Sequence, residues 1–116
     1  MKEKIIQTTF LVPLKEDDDI GNGKLHPESR WQELQKIMYV GFGGWTIAHD
    51  FYLGGWVNPN TGKKIEDQSR KYFVDIKKKE LNKMREIMRW VAREFKQQCI
   101  RFEHESEVEY IPGVEE

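Results

Sequence analysis

The apolar residues of this chain repeat with two different periods, and the alternation between these periods restricts the folds open to it. Two segments, at about 27–40 and 79–97, carry apolar residues at spacings of three and four, the period of an amphipathic helix. The segments before, between and after them carry apolar residues at every second position, the period of a half-buried strand. The sequence therefore predicts the element order strand, helix, strand, strand, helix, strand.

The strands are bounded by residues that interrupt pairing. They are predicted at residues 5–14, 45–53, 69–76 and, interrupted by a bulge near 105–106, at 99–104 with 108–111. Pro13 cannot donate to a ladder, so it marks the end of the first strand. Gly54-Gly55-Trp56 and the turn residues at 58–62 predict a long hairpin between the second and third strands.

This order corresponds to a known arrangement of an α+β domain. Two strand–helix–strand units joined by a hairpin form the ferredoxin-like βαββαβ pattern, a four-stranded antiparallel sheet with two helices on one face. A length of 116 residues suits one domain, predicted to span residues 1–116. Within it, residues 15–26 are predicted to form an acidic flexible loop, and residues 112–116 a loose acidic tail.

Charge and cysteine content narrow the classes of partner. The 19 lysine and arginine residues against 20 acidic ones give a net charge of -1, so no long-range field attracts nucleic acid or an anionic membrane. The single cysteine, Cys99, excludes an internal disulfide and suits a reducing compartment. No apolar run reaches the length of a signal or a membrane span. A cytoplasmic protein is predicted, with neither nucleic acid nor membrane as a partner.

The sheet face without helices is the expected recognition surface. Thr9, Thr46, Tyr52 and Phe73 are candidates to lie on it, and this mixture is too apolar for a wholly solvated surface. We therefore expect a homodimer formed through this face or through an edge strand, or a protein partner bound there.

Seven residues are candidates for binding: Trp45, Thr46, Tyr52, Trp56, Ser69, Arg70 and Tyr72. The planar guanidinium of Arg70 could clamp a carboxylate or phosphate, with Ser69 and Tyr72 donating further hydrogen bonds. Trp45 and Trp56 bracket the second strand and could anchor a partner. The structural alternative stays open, with Asp67 and Ser69 capping the end of the hairpin loop, Arg70 on the surface and both indoles packed.

Motifs for metals and cofactors are incomplete. The loop from Asp17 fails as a calcium site because Asn22 occupies the position that requires glycine. The glycines at 41–44 follow a helix, whereas a phosphate loop precedes one. Adjacent His49 and Asp50 would point to opposite faces of a strand, and His49 is expected in the core. No cofactor, metal ligand or catalytic residue is predicted.

Several short motifs together resemble a group of short, uncharacterised bacterial proteins with a ferredoxin-like arrangement. They are Gly43-Gly44-x-Thr46, Gly55-Trp56, Gly62, Glu66-x-x-Ser69-x-x-Tyr72 and Phe95-x-Gln97-x-x-Ile100. The resemblance spans residues 6–111 and implies the fold and a shared surface around Trp56, Ser69 and Tyr72. It implies no activity.

Two functions remain open from the sequence. The first is a non-catalytic binding or regulatory module, dimeric, that recognises a protein partner or a small anionic ligand through the open sheet face. The alternative is a small enzyme on the same fold. It would be a dimeric α+β barrel with His49 or Tyr52 lining a pocket, or a metal-dependent nuclease in which Asp50 or Asp67 meets a second carboxylate.

Overall fold

A computed structural model describes residues 3–17 and 23–114, which form two helices and six strands. The elements are β1 (Ile5–Pro13), α1 (Glu28–Phe42), β2 (Thr46–Ile47), β3 (Tyr52–Val57), β4 (Lys64–Lys77), α2 (Leu81–Glu94), β5 (Cys99–His104) and β6 (Glu107–Pro112). A short 3-10 turn, Lys78–Glu80, leads into α2. The α+β class and the two helices are confirmed.

All six strands belong to one antiparallel sheet in the order β2-β4-β1-β5-β6, with β3 pairing with a further stretch of β4. The prediction of a simple four-stranded ferredoxin-like sheet is therefore wrong in its strand number. Two predicted strands are each divided in two, because the chain leaves the sheet at 48–51 and turns tightly at 105–106.

Because the second predicted strand is divided, the hairpin turn lies later in the chain than predicted, between Val57 and Lys64. Gly54-Gly55-Trp56, expected in the turn, lies inside β3, where Gly54 pairs with Asp67 and Trp56 with Ile65. β4 consequently begins at Lys64, five residues before the predicted start of the third strand. Glycine and tryptophan are accommodated because cross-strand pairing overrides a local turn preference.

One face of the sheet carries the core. Alternate residues of β1, β4, β5 and β6 are buried there: Ile6, Phe10, Val12, Tyr72, Val74, Ile76, Ile100, Phe102 and Ile111. The helices cover them with one apolar stripe each: Trp31, Leu34 and Met38 from α1, and Met84, Met88 and Val91 from α2. The opposite face of the sheet, turned away from both helices, is available for a site.

The acidic loop is anchored at both of its described ends. Lys15 and Leu25 form an antiparallel bridge, and the Glu16 N–H donates to the Lys24 carbonyl over 2.7 Å. Residues 18–22, where flexibility was predicted, lie outside the described residues, as do residues 115–116 of the predicted tail. No helix among the described residues is long and apolar enough to cross a membrane.

The β3–β4 hairpin extends beyond the rest of the sheet. The pairing of β1 with β4 stops at Pro13 and Ser69, so residues 64–68 of β4 have strand pairing with β3 alone in the described chain. This part of the sheet is a two-stranded ribbon, and it forms one wall of the site described next.

Candidate functional site

A pocket of about 700 Å³ opens on the helix-free face, at the end of the sheet where β1 finishes and β5 begins. Its floor is formed by cross-strand neighbours, because Leu11 pairs with Arg101 and Arg101 pairs with Tyr110. These side chains alternate with the buried core residues Phe10 and Ile100 and so point away from the helices. The floor of the pocket therefore consists of the strand residues that alternate with the core residues.

The wall is the β3–β4 hairpin, which contributes a half-buried carboxyl and an indole. Burial raises the pKa of Asp67, and a hydrogen bond from the Trp56 side chain opposes this effect by stabilising the carboxylate. Gly54 lies opposite Asp67, and a Cβ at Gly54 would lie 3.3 Å from Asp67 Oδ1. The absence of a side chain at Gly54 leaves that carboxyl open to the pocket.

The rim is a loop held by three hydrogen bonds to two neighbouring segments, β4 and the end of α2. The Leu14 N–H donates to the Gln68 carbonyl over 2.9 Å, and the Asp17 N–H donates to the Lys96 carbonyl over 2.9 Å. Gln97 Nε2 donates to the Lys15 carbonyl over 2.8 Å. The start of the acidic loop is thus fixed against β4 and the end of α2, which keeps this side of the pocket preformed.

An ion pair behind the rim ties it to α1. Arg30 Nη1 lies 3.0 Å from Glu16 Oε2 and 2.9 Å from His26 Nδ1. Burial, followed by the neighbouring Arg30 charge, lowers the pKa of His26 to about 4, so the imidazole is neutral at pH 7. His26 also packs edge-on against Trp31 and Phe95. Its neutral form suits this aromatic environment.

The pocket carries more negative than positive groups. Its acidic lining residues are Glu16, Asp17, Glu66 and Asp67, and its basic ones are Lys15 and Arg101. The walls between them are aromatic or aliphatic, with Trp56, Tyr110 and Leu53 contributing large side chains. Such a lining favours a ligand with a positive charge and a flat apolar part over an anion.

The structure places two of the seven binding candidates in the pocket and the other five elsewhere. Trp56 and Ser69 line the pocket. Arg70 lies on the other face of β4, with its guanidinium carbon 4.1 Å from the centre of the Trp31 ring. Tyr72 is fully buried, stacks on Phe10 and accepts a hydrogen bond from Gln35 Nε2 over 3.2 Å. Arg70 and Tyr72 therefore belong to the helix-covered side, because they share their side of the strand with the core.

The other three candidates lie outside this pocket. Trp45 packs against Tyr72 and lines a shallow second hollow together with Thr46. Tyr52 is exposed at the start of β3, with Lys71 Nζ 5.0 Å from its ring centre.

The residues expected to carry catalysis in the alternative are not assembled. His49 and Asp50, expected in a strand, are exposed in the bend between β2 and β3, so His49 is not a core residue. Among the described residues no three His, Cys, Asp or Glu side chains form a group suited to a metal, so Asp50 and Asp67 join no such cluster there.

Sequence reasoning missed Leu11, Arg101 and Tyr110, and weighed Asp67 as a nuclease residue or as a cap of the hairpin loop. The signal for Leu11 was present, since it alternates with Phe10 and Val12. No such signal was present for Arg101 and Tyr110, because their place in the floor depends on which strands are neighbours in the sheet. The hairpin at 105–106 that places Tyr110 beside Arg101 has no glycine or asparagine, although Glu105 and Ser106 adopt φ values of 46° and 66°.

Comparison with known proteins identifies the fold. No family model matches this sequence, and neither does any curated protein. Among solved structures, a phage SAM lyase in complex with S-methyl-5′-thioadenosine is similar with a TM-score of 0.73 and 12% identity, over 97% of this chain and 92% of that one. A phage SAM lyase in the apo state is similar with a TM-score of 0.65 and 14% identity, over 92% of this chain and 88% of that one. At these identities the likeness shows a shared fold.

These comparisons correct the functional prediction. A non-catalytic binding or regulatory module was expected, but both similar structures are of an enzyme, which favours the alternative of a small enzyme. The prediction went wrong because it took the lack of a catalytic sequence motif as a sign of binding alone. A site assembled from β1, β3, β4, β5 and β6 leaves no such motif.

Proposed function

We propose that this chain is an enzyme that binds S-adenosylmethionine (SAM) in the pocket on the helix-free face and cleaves it to release S-methyl-5′-thioadenosine. The observation that carries the proposal is the pocket itself. It is a preformed site with a net negative lining and an indole wall, in a fold shared with a SAM lyase over nearly the whole chain.

The lining matches the chemistry of this substrate. SAM joins a flat adenine to a positively charged sulfonium, and the volume of about 700 Å³ lies in the range of small-molecule sites. Trp56 offers a flat face for stacking an adenine, an interaction worth about 1–3 kcal/mol per base. Asp67 offers a carboxylate for the sulfonium, in a setting partly shielded from water.

Release of S-methyl-5′-thioadenosine requires the bond between sulfur and the four-carbon side chain to break, with its electron pair moving to sulfur. The sulfonium loses its charge in this step, so a carboxylate beside it stabilises the substrate more than the transition state. Apolar walls have the opposite effect, because they favour a state with dispersed charge. Asp67 is therefore assigned to substrate binding, and Leu11, Trp56 and Tyr110 to the environment of the breaking bond.

The carbon that loses the electron pair of the carbon–sulfur bond must also form a new bond within the four-carbon fragment. The fragment can close on its own carboxylate, which requires no base, or it can give up a proton to one. Asp67 is the pocket carboxyl whose pKa burial raises, so it is the group suited to accept a proton if one is lost. Neither route adds water, as the term lyase requires.

Incubation of the purified protein with SAM, followed by chromatography and mass spectrometry, tests the proposal. We expect S-methyl-5′-thioadenosine to accumulate with enzyme concentration, and no label from heavy-oxygen water on the carbon that was bound to sulfur. Absence of any product, together with absence of binding to SAM or S-methyl-5′-thioadenosine by calorimetry, would contradict the proposal. Label in a hydroxyl group on that carbon would indicate hydrolysis, whereas label in the carboxyl group reports only the later opening of a lactone.

Asp67→Asn tests the assigned role. We expect KM for SAM to rise about tenfold, equivalent to about 1.4 kcal/mol, with a smaller change in kcat, because the lost interaction is made mainly with the ground state. Asp75→Asn is the matched control, since Asp75 is exposed, lies on the same side of β4 and is outside the pocket. A fall in kcat of more than about 100-fold at unchanged KM would instead identify Asp67 as a general base.

A further inference from the structure

β3 is an edge strand without the features that normally keep an edge from pairing. Its sequence, Tyr-Leu-Gly-Gly-Trp-Val, contains no charged residue and no proline, and five of its six residues are exposed. Leu53 and Val57 expose 68% and 57% of their surface. Natural edges are usually protected by lysine, proline, bulges or a covering element, and an uncharged, apolar edge is a template for another strand.

The ribbon to which β3 belongs has little support from the rest of the sheet. At residues 64–68 of β4 the described sheet has two strands, and an isolated two-stranded hairpin is marginally stable in water. The other side of β4 along this stretch is protected by the charged residues Lys64, Glu66 and Asp67, and its carbonyl at Gln68 accepts a hydrogen bond from Leu14. Pairing along β3 would supply the missing third strand.

We propose that β3 pairs antiparallel with β3 of a second copy of this chain, about a two-fold axis through Gly54. A two-fold axis that relates adjacent antiparallel strands is perpendicular to the sheet, so each residue and its copy point to the same face. Paired positions must therefore be an even number of residues apart. Centring on Gly54 places Tyr52 opposite Trp56 of the second copy, and Leu53 opposite its Gly55.

This register is self-complementary. Aromatic cross-strand pairs such as Tyr52 with Trp56 are favourable by about 0.5–1.5 kcal/mol beyond their burial, and this one forms twice. The central glycines leave room for the four aromatic rings, and no like charges face each other across the seam. These features indicate that the strand pairing with β3 is β3 of a second copy of this chain.

The pairing would change the pocket. Trp56 lines it, and Tyr52 of the same copy does not. In the dimer, Tyr52 of the second copy would lie beside Trp56, on the sheet face that carries Asp67. Its contribution to ligand binding rests on the proposed function, whereas the strand pairing does not.

Disulfide trapping tests the pairing without substrate. In a Cys99→Ser background, Gly54→Cys should cross-link to a dimer on mild oxidation, because directly opposite Cα atoms in an antiparallel pair are about 4.5–5.5 Å apart, within disulfide reach. Gly55→Cys is the matched control. Its copy would be displaced by two residues along the strand, about 7 Å, so the two cysteines should not cross-link.

Sedimentation of the unmodified chain completes the test. We expect a dimer at micromolar concentration that Leu53→Lys dissociates, while Val108→Lys, which adds the same charge at the opposite edge, leaves it intact. A monomer at all concentrations would overturn the proposal, and so would equal cross-linking of both cysteine variants.

In the cross-linked dimer, Tyr52→Ala should weaken S-methyl-5′-thioadenosine binding about two- to tenfold. If Tyr52→Ala leaves the affinity for S-methyl-5′-thioadenosine unchanged, Tyr52 of the second copy does not contribute to the pocket. If no variant binds this ligand, the result counts against the proposed function and not against the strand pairing.

Discussion

Two edge strands of the sheet, β6 and β3, are built in opposite ways. β6 is tied to the body of the protein, since Ile111 is buried in the core and Glu109 binds both Arg85 of α2 and His104 of β5. β3 sends no side chain into that core, and it is attached to the described sheet through β4. The comparison teaches that one edge strand can be anchored by its own side chains while another in the same sheet is left without such protection.

The two edge strands differ in charge as well as in burial. β6 alternates Glu107 and Glu109 with apolar residues and ends at Pro112, so a strand from another molecule would meet charge and then a missing donor. β3 has neither feature. Both edge strands reach the pocket, β6 through Tyr110 in its floor and β3 through Trp56 in its wall, but the exposed apolar edge that promotes aggregation belongs to β3 alone of the two.

The largest expected difference between the edges concerns core anchoring. Ile111→Ala should destabilise the fold by about 2–4 kcal/mol, because it leaves a cavity between the sheet and α2. Leu53→Ala, an apolar truncation on β3, should change stability by less than about 0.5 kcal/mol in the monomer, because Leu53 is mostly exposed. Urea unfolding at low protein concentration measures both. Equal losses would show that β3 is anchored as firmly as β6.

A smaller effect is expected from the polar anchor of β6. Glu109→Gln should cost about 1–2 kcal/mol, because Arg85 Nη2 loses a charged acceptor 2.8 Å away and the buried His104 loses its carboxylate partner. Glu107→Gln is the matched control, since Glu107 is exposed on the same strand. If the two variants unfold at the same urea concentration, Glu109 does not anchor β6.

The same carboxylate makes the anchor sensitive to acid. Hydrogen bonding from Arg85, followed by that from His104, lowers the pKa of Glu109 from 4.5 to about 2. A lowered carboxyl pKa stabilises the fold above pH 4.5, and this stabilisation is lost as the pH falls toward 2. Stability measured between pH 6 and 2 should fall less steeply for Glu109→Gln than for the unmodified protein. Identical slopes would contradict this assignment.

The smallest expected effect is local. Amide hydrogens on β3 should exchange faster than those on β6 in dilute protein, because the ribbon opens without disturbing the core. Raising the protein concentration should slow exchange at residues 53–57 and leave residues 107–111 unchanged. Protection that is independent of concentration on both edges would argue against pairing through β3.

The extent to which sequence predicted this molecule varies along the chain. The strand at 5–13 and the stripe of Met84, Met88 and Val91 in α2 follow from periodicity, because their apolar faces are buried in one core. Gly54-Gly55-Trp56 did not follow, since glycines favour a turn locally and are held in β3 by pairing with β4. Arg70 was predicted to bind a ligand, but pairing with Val12 places it on the core face of the sheet, away from the pocket.

By itself, the sequence determined which side chains share a face of each element, because that property depends only on the spacing of neighbouring residues. The tertiary structure alone decided which strands are neighbours, which edge is left open, and that Leu11, Arg101, Tyr110, Trp56 and Asp67 meet in one pocket. The physical reason is that strand order and register are set by contacts between residues far apart in the chain, such as Leu11 with Arg101, and local spacing carries no record of those contacts.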